Sequence, residues 1–284
     1  MGSRPAGGAR RVRVGRIPWI NCGPIYGAID RGLVPLEAEL VTGTASELND
    51  LLAAGELQVS VVSAVEYARS AAAYHLLPDL AISCDGAVHS VALFSRRPIA
   101  ELDGHTVLVT ASSRTSVLLL ELLCRHRWKV RPRFATARAE ARDLDSLAGL
   151  PHDGLLVIGD AALLLAAQGR YPVRVDLGSE WKAWTGLPFV FAVWAARREA
   201  SPADVSAVHR CLLHSRDWGL EHLDLLAAEG ARATGVAGDV CREYLSDLDY
   251  ALSYRHLAGL TDFFRRLALD GLVPDGSLSF ITAA

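Results

Sequence analysis

Strand-like and helix-like stretches alternate along this chain as far as about residue 197, and beyond that point only helical periodicity remains. Alternation of this kind builds βαβ units and mainly parallel sheets, because a parallel neighbour is reached only through a crossover that packs on the sheet face. Short apolar runs predict strands at 12–17, 37–41, 59–62, 88–96, 106–110, 130–134, 155–158 and 189–197. Helices are predicted from Pro24 onward, over 44–54, 64–72, 114–127, 143–147 and 161–167, and then over 202–229, 238–248 and 256–269. Thr44-Ala45-Ser46-Glu47 reads as a capping box, and Gly55 ends the helix it opens.

The two long strands, 88–96 and 189–197, bracket a self-contained α/β run. One lobe is therefore inserted into the other. The predicted first lobe comprises 1–96 with 191–284, the second 97–190, joined by a two-strand hinge near 95–98 and 189–193; 284 residues suffice for two such lobes. Residues 1–11, small and basic, read as a disordered arm. The expected fold class is α/β, two-lobed and periplasmic-binding-protein-like (type II), with a mixed, mainly parallel sheet flanked by helices in each lobe and a ligand cleft between them.

Composition narrows the function classes. A net charge of −3 leaves no basic footprint for nucleic acid. Five widely spaced cysteines without a CxxC pair argue against a disulfide framework and suit a reducing compartment. The histidines form no HExxH and no pair at metal-binding helical spacing, so no metal is expected. GxGxxG after a strand, GxxxxGK[ST] and GxSxG are all missing, which leaves no cofactor predicted and makes a dehydrogenase, a nucleotidase or an α/β-hydrolase a poor reading. The N-terminus carries no h-region and the longest apolar run, 187–196, is about half the ~20 residues of a membrane span. A cytoplasmic protein with a small-molecule substrate and no membrane or nucleic-acid partner is expected.

In open α/β lobes ligands sit at the carboxyl ends of strands, where helix N-termini present free N–H groups. Four segments fall there. Asn21, ahead of Cys22-Gly23-Pro24, is either a helix cap or a ligand contact; Cys22 reads as a small buried hydrophobe. In Ser112-Ser113-Arg114-Thr115-Ser116 the density of hydroxyls favours an anion cradle at Ser113, Thr115 and Ser116, with Arg114 either a carboxylate clamp or a structural ion pair. Ser90, after the Asp85-Gly86 turn, should point along the cleft if Val91 and Leu93 face the core. Gly159 and Asp160 end a strand, where Asp160 is a cap by default and otherwise a holder of a hydroxyl or a proton. Ser63, at the end of the strand 59–62, is a weaker candidate of the same kind. Trp181 and Trp184, three apart before Thr185-Gly186-Leu187-Pro188, are core by default, but beside the second crossing they are candidates for the cleft wall.

Taken together, INCGP (20–24), DGxxxS (85–90), SSRTS (112–116), IGDAAL (158–163) and LGxxWxxWTGLPFVFAVW (177–194) resemble the chorismate dehydratases of the futalosine route to menaquinone. The resemblance covers about 12–269; WTGLPFVFAVW is its most specific block, SRTS the next and NCxP the third. One departure is Gly23, where the family often has a larger residue. The resemblance implies loss of water from chorismate to give 3-[(1-carboxyvinyl)oxy]benzoate, with the two carboxylates of the substrate met by two helix N-termini, one per lobe. It further implies substrate binding by Ser63, Ser113, Arg114, Thr115, Ser116, Gly159, Trp184 and Pro188, and catalysis by Asn21, Ser90 and Asp160. The enolpyruvyl carboxylate of the substrate is read as the base, and Asp160 as the alternative. This reading requires Asn21 and Thr115 to face one hollow. Its rivals are a cytoplasmic binding protein for a small carboxylate, the sister enzyme 1,4-dihydroxy-6-naphthoate synthase, and a ligand-sensing module, for which no DNA-reading element is attached.

Overall fold

A computed structural model describes residues 11–274 and 277–281; the basic arm expected at 1–11 lies, Arg11 apart, outside the described residues. The chain begins with β1 (Val12–Arg16), α1 (Gly23–Asp30), β2 (Ala38–Thr42), α2 (Ala45–Ala53), β3 (Val59–Ser63), α3 (Ala64–Arg69) and β4 (Tyr74–Cys84). It then crosses to β5 (Val91–Ser95), β6 (Thr106–Thr110), α4 (Arg114–Leu122), β7 (Arg133–Ala137), α5 (Leu144–Ala148), β8 (Gly154–Ile158), α6 (Asp160–Gln168) and β9 (Val173–Asp176). The return runs through α7 (Leu177–Thr185) to β10 (Phe189–Arg197), and α8 (Pro202–Glu221), α9 (Leu223–Thr234), α10 (Gly238–Asp247) and α11 (Tyr254–Leu269) complete the fold.

Two five-stranded sheets result, in the orders β2-β1-β3-β10-β4 and β7-β6-β8-β5-β9. In each, parallel strands accept one antiparallel strand that arrives straight from the other lobe: β10 between β3 and β4, β5 between β8 and β9. The first sheet draws on chain segments before residue 85 and after residue 188 and the second on those between, and the crossings do not fall at the expected hinge positions. Because β5 pairs with β8 and β9, the first crossing lies at 85–90 rather than 95–98, and the second spans α7 and 186–188 rather than 189–193. The displacement has a local cause. β4 holds Pro78 and the positive-φ Asp79 (56°), and its pairing to β10 shifts between Ala81 and Leu76. A proline is tolerated at such a bulge because no ladder N–H is required there, but it hides the strand from a periodicity argument. Two further differences are local too: the helix expected over 202–229 breaks at His222 (φ −123°), and the one over 114–127 finishes as a π-turn that ends at Lys129 (φ 58°).

Both faces of the second sheet are buried, as alternation along β5 shows. Val91 and Leu93 join the core that runs on into the first lobe, whereas Ala92 and Phe94 pack with Leu155, Val157 and Leu165 on the opposite face. The edge strand β4 is covered rather than exposed: Leu76 bonds Ser279 and Ile281 through its backbone, and Ser83 pairs with Asp249.

α8 lies across α1 at a distance that only a glycine permits, since a Cβ on Gly219 would meet the Pro24 carbonyl oxygen at 2.2 Å and its Cα at 2.5 Å. Backbone cannot yield as a flexible side chain does. Gly219→Ala is therefore expected to destabilise the fold by about 1–3 kcal/mol, read from the midpoint of urea denaturation; an unchanged midpoint contradicts this packing.

Candidate functional site

A cavity lies between the lobes, about 580 Å³ of unfilled space when its opening to solvent is counted. Its first-lobe wall is built by Ile17, Trp19, Asn21 and Cys22, then Val61 and Ser63 at the end of β3, and Phe191 of β10. Val88, Ser90 and Val91 come from the first crossing, and Ser113, Ser116, Ile158 and Gly159 from the second lobe. The wall is mostly apolar, with a few hydroxyls and one amide converging on the space, and neither lysine nor arginine appears among these residues.

Each polar group is held by identifiable local chemistry. Asn21 sits in a 3-10 turn, Ile20–Cys22, that feeds α1, whose early Pro24 has no N–H to leave unpaired. A Cβ on Gly23 would meet nothing nearer than Leu226 at 3.9 Å, so the loop has room for a side chain there. Ser113 caps α4: its Oγ accepts from Ser116 N at 3.1 Å and lies 3.0 Å from Ser116 Oγ. Ser63 caps α3 and is braced by Asn49 Nδ2 at 3.4 Å. Gly159 adopts φ 62°, ψ −150°, a region only glycine occupies without strain, and a Cβ there would strike the Trp19 indole at 3.1 Å.

Ser90 is positioned by the crossing itself. Its N–H closes a three-residue turn onto Val88 O at 2.6 Å, with His89 in the middle at φ 60°, and its carbonyl accepts from Gly159 N at 2.7 Å. The turn is held by Asp176, whose carboxylate accepts from Val88 N (3.1 Å) and His89 N (2.7 Å) while capping α7 through Ser179 N (2.9 Å). One side chain therefore ties the two crossings together.

Several expected contacts are replaced by others. Arg114 is no free carboxylate clamp: its guanidinium pairs with the buried Glu66 and, at 3.2 Å, with Asp50, both from the first lobe. Thr115 turns away from the hollow that Asn21 lines; its Oγ1 accepts from Val65 N at 3.0 Å. Ser113 and Ser116, on the same helix start, share the cavity with Asn21 instead. Trp184 lies outside the wall, sandwiched between His126 and the guanidinium of Arg266, 4.1 Å from its ring centre. Pro188 is buried and its carbonyl accepts from Trp181 Nε1 at 3.1 Å, while Trp181 itself is wholly buried among Phe189 and Phe263. The aromatics that do line the cavity are Trp19 and Phe191.

Asp160 stands one residue behind the wall. Its Oδ1 accepts from Ile20 N at 3.2 Å, across the seam between lobes, and burial pushes its carboxyl up to about 6, with Glu140 adding to the rise and the Ile20 N–H opposing it. Cys22 is a poor nucleophile: burial first and Asp160 second push its thiol up to about 12. Sequence reasoning missed Asp176 and Tyr244. Tyr244, on α10, is wholly buried with its hydroxyl beside Ser90 and Asn21; that hydroxyl and Asn21 Oδ1 both lack a hydrogen-bond partner. Its spacing on an amphipathic helix carried no signal of this. His89, Glu243 and Asp247 could bring metal-ligating atoms within 4.8 Å of one another, but they lie outside the cavity wall, and His89 Nε2 is 2.8 Å from Asp247 Oδ2.

The fold is the two-lobed architecture of the periplasmic binding proteins, with a cavity between the lobes. Among solved structures of similar fold is the alkanesulfonate-binding protein of Xanthomonas axonopodis pv. citri, with TM-score 0.69, 13% identity, and coverage of 95% of this chain and 96% of that one. The chain belongs to the menaquinone biosynthesis family, whose family model matches residues 12–269. It is 35% identical over 241 residues to the chorismate dehydratase of Thermus thermophilus, covering 79% of this chain and 84% of the relative. It is 26% identical over 216 residues to the 1,4-dihydroxy-6-naphtoate synthase of the same organism, covering 74% and 75%.

The elevated Asp160 carboxyl has a signed consequence. Its folded value near 6 lies above the ordinary 3.8, so between those values the native state holds a proton that the unfolded chain releases, and stability falls as pH rises through that window. Asp160→Asn removes this effect. The variant should match the parent near pH 4 and exceed it at pH 8 by about 1–3 kcal/mol, measured by denaturant unfolding across pH; parallel pH profiles for the two proteins would refute the assignment.

Proposed function

We propose that this protein is a chorismate dehydratase, a carbon–oxygen lyase that converts chorismate into 3-[(1-carboxyvinyl)oxy]benzoate within menaquinone biosynthesis. The observation that carries the reading is the 35% identity to a chorismate dehydratase over 84% of its length, against 26% to the naphtoate synthase. The cavity supports it. The lining, apolar walls fringed by hydroxyls, suits a ring that carries carboxylates, and the start of the nine-residue α4, with Ser113 and Ser116, offers one carboxylate a partial positive charge and donors. No described helix is long and apolar enough to cross a membrane; a cytoplasmic setting is part of the proposal.

The reaction removes the proton on the ring carbon that bears the ether and the hydroxyl on the next carbon, and together they leave as water. The ring becomes aromatic, so the driving force resides in the substrate and the protein must chiefly orient it. Among the residues that line the cavity the one ionisable side chain is Cys22, whose raised thiol takes no part in proton transfer near neutral pH. The base is therefore the enolpyruvyl carboxylate of the substrate itself. Asn21 and Ser90, meeting from the first lobe and the crossing, hold the ring hydroxyl as it leaves. Asp160, outside the residues that line the cavity, is placed at the seam, where it accepts from the Ile20 N–H, and stays the alternative base.

Incubation with chorismate should yield the aromatic enol ether, detectable by absorbance and mass. Asn21→Ala and Ser90→Ala should each lower kcat by about 10²-fold or more, and Asp160→Asn should stay within severalfold of the parent. Chorismate bound but unchanged would point to a carboxylate-binding protein; a 10²-fold loss in Asp160→Asn would move the base to that residue.

A further inference from the structure

Two buried polar atoms beside the cavity have no hydrogen-bond partner, and they belong to neighbouring side chains: Asn21 Oδ1 and the Tyr244 hydroxyl. Buried orphans are uncommon in native proteins, and an adjacent pair of complementary character calls for an explanation. A phenol donates one proton and an amide oxygen accepts. α10 packs directly against the 3-10 turn that carries Asn21, so the two groups approach on rigid elements and not on a loose loop. Asn21 lines the cavity, yet its oxygen is the end sealed from solvent; the amide nitrogen is thus the end turned to the ligand.

We infer that Tyr244 is a positioning residue: its hydroxyl donates to Asn21 Oδ1, fixes the amide against flipping, and so presents the two Nδ2 donors to the substrate. This rests on the dehydratase reading for its consequence in turnover, though not for the contact itself. The amide flip matters because oxygen and nitrogen are nearly equal in shape but opposite in function. An Asn21 with its oxygen turned inward would set a lone pair against the departing hydroxyl; with its nitrogen inward it offers donors where negative charge develops. Burial holds the phenol well above its ordinary range, so Tyr244 stays a donor throughout the working pH. Ser90, beside the same hydroxyl and also buried, is the third member of the group and shares its orientation.

The test is Tyr244→Phe in the full chain, which deletes one oxygen and preserves the ring. Chorismate turnover should show kcat about tenfold lower and KM within threefold of the parent. In an Asn21→Ala background the same substitution should cost less than twofold, because the group it positions is gone. Tyr250→Phe, which removes the other unpartnered hydroxyl nearby, should keep kcat within twofold. Parental kcat in Tyr244→Phe, an equal loss with and without Asn21, or an equal loss in Tyr250→Phe overturns the inference. If the parent leaves chorismate unchanged, the dehydratase reading fails on its own. The contact is then decided by a crystal structure: Tyr244 Oη within about 3.2 Å of Asn21 Oδ1 upholds it, and a separation beyond about 4 Å overturns it.

Discussion

The carboxylate of Asp176 is the interaction on which the site's geometry turns. It takes two backbone N–H groups from the first crossing and one from the start of α7 on the second, so the two chain segments that join the lobes share a single anchor. Three N–H donors suit an ionised carboxylate, and charge-assisted bonds of this type are stronger than neutral ones. The tight turn around His89, which would otherwise be an uncomfortable conformation for a non-glycine residue, is held open to one orientation, and Ser90 follows from it. The position of a cavity hydroxyl is therefore determined from outside the cavity.

Contact between the lobes is made by neutral and ionic groups of different reach. Trp19 against Gly159, and Thr115 against the backbone of Val65, are short-range fits that demand close approach. Arg114 spans from the second lobe to Glu66 and Asp50 on the first. A buried glutamate that loses its guanidinium partner is costly, so this pair favours the apposed arrangement strongly while contributing little net stability beyond what a well-packed apolar pair would provide. Of the two readings the sequence left open for Arg114, carboxylate clamp or structural ion pair, the structure shows an ion pair, and it joins the two lobes.

Much of the architecture was legible because apolar periodicity and capping residues act locally. β1, β3, β6, β8 and β10 fall close to their predicted places, and the Thr44–Glu47 capping box forms as read. β4 was not legible, since Pro78 and Asp79 interrupt its pattern and its partners lie more than a hundred residues away; missing it moved the first crossing by several residues. Within the site, positions at strand ends and helix starts (Asn21, Ser63, Ser90, Ser113, Ser116, Gly159) were identifiable because backbone geometry alone directs them to the cavity. Arg114, Thr115, Trp184 and Pro188 stand outside the cavity lining for one shared reason: long or two-faced groups choose among partners brought near only by the folded chain. Tyr244 was invisible for the same reason in reverse, since its neighbours Ser90 and Asn21 lie far from it along the sequence.

The exchange of strands between sheets bears on how such a chain emerges from the ribosome. By the time residue 176 has been made, all five strands of the second sheet exist, and that lobe can close without help. The earlier-made lobe cannot. Its eleven-residue β4 gains its sheet neighbour only with β10, and its outer edge is covered only by Asp249 and residues 279–281. Nascent chains of this topology thus carry an unpaired, largely apolar strand until β10 is made, and the half synthesised first is the half finished last.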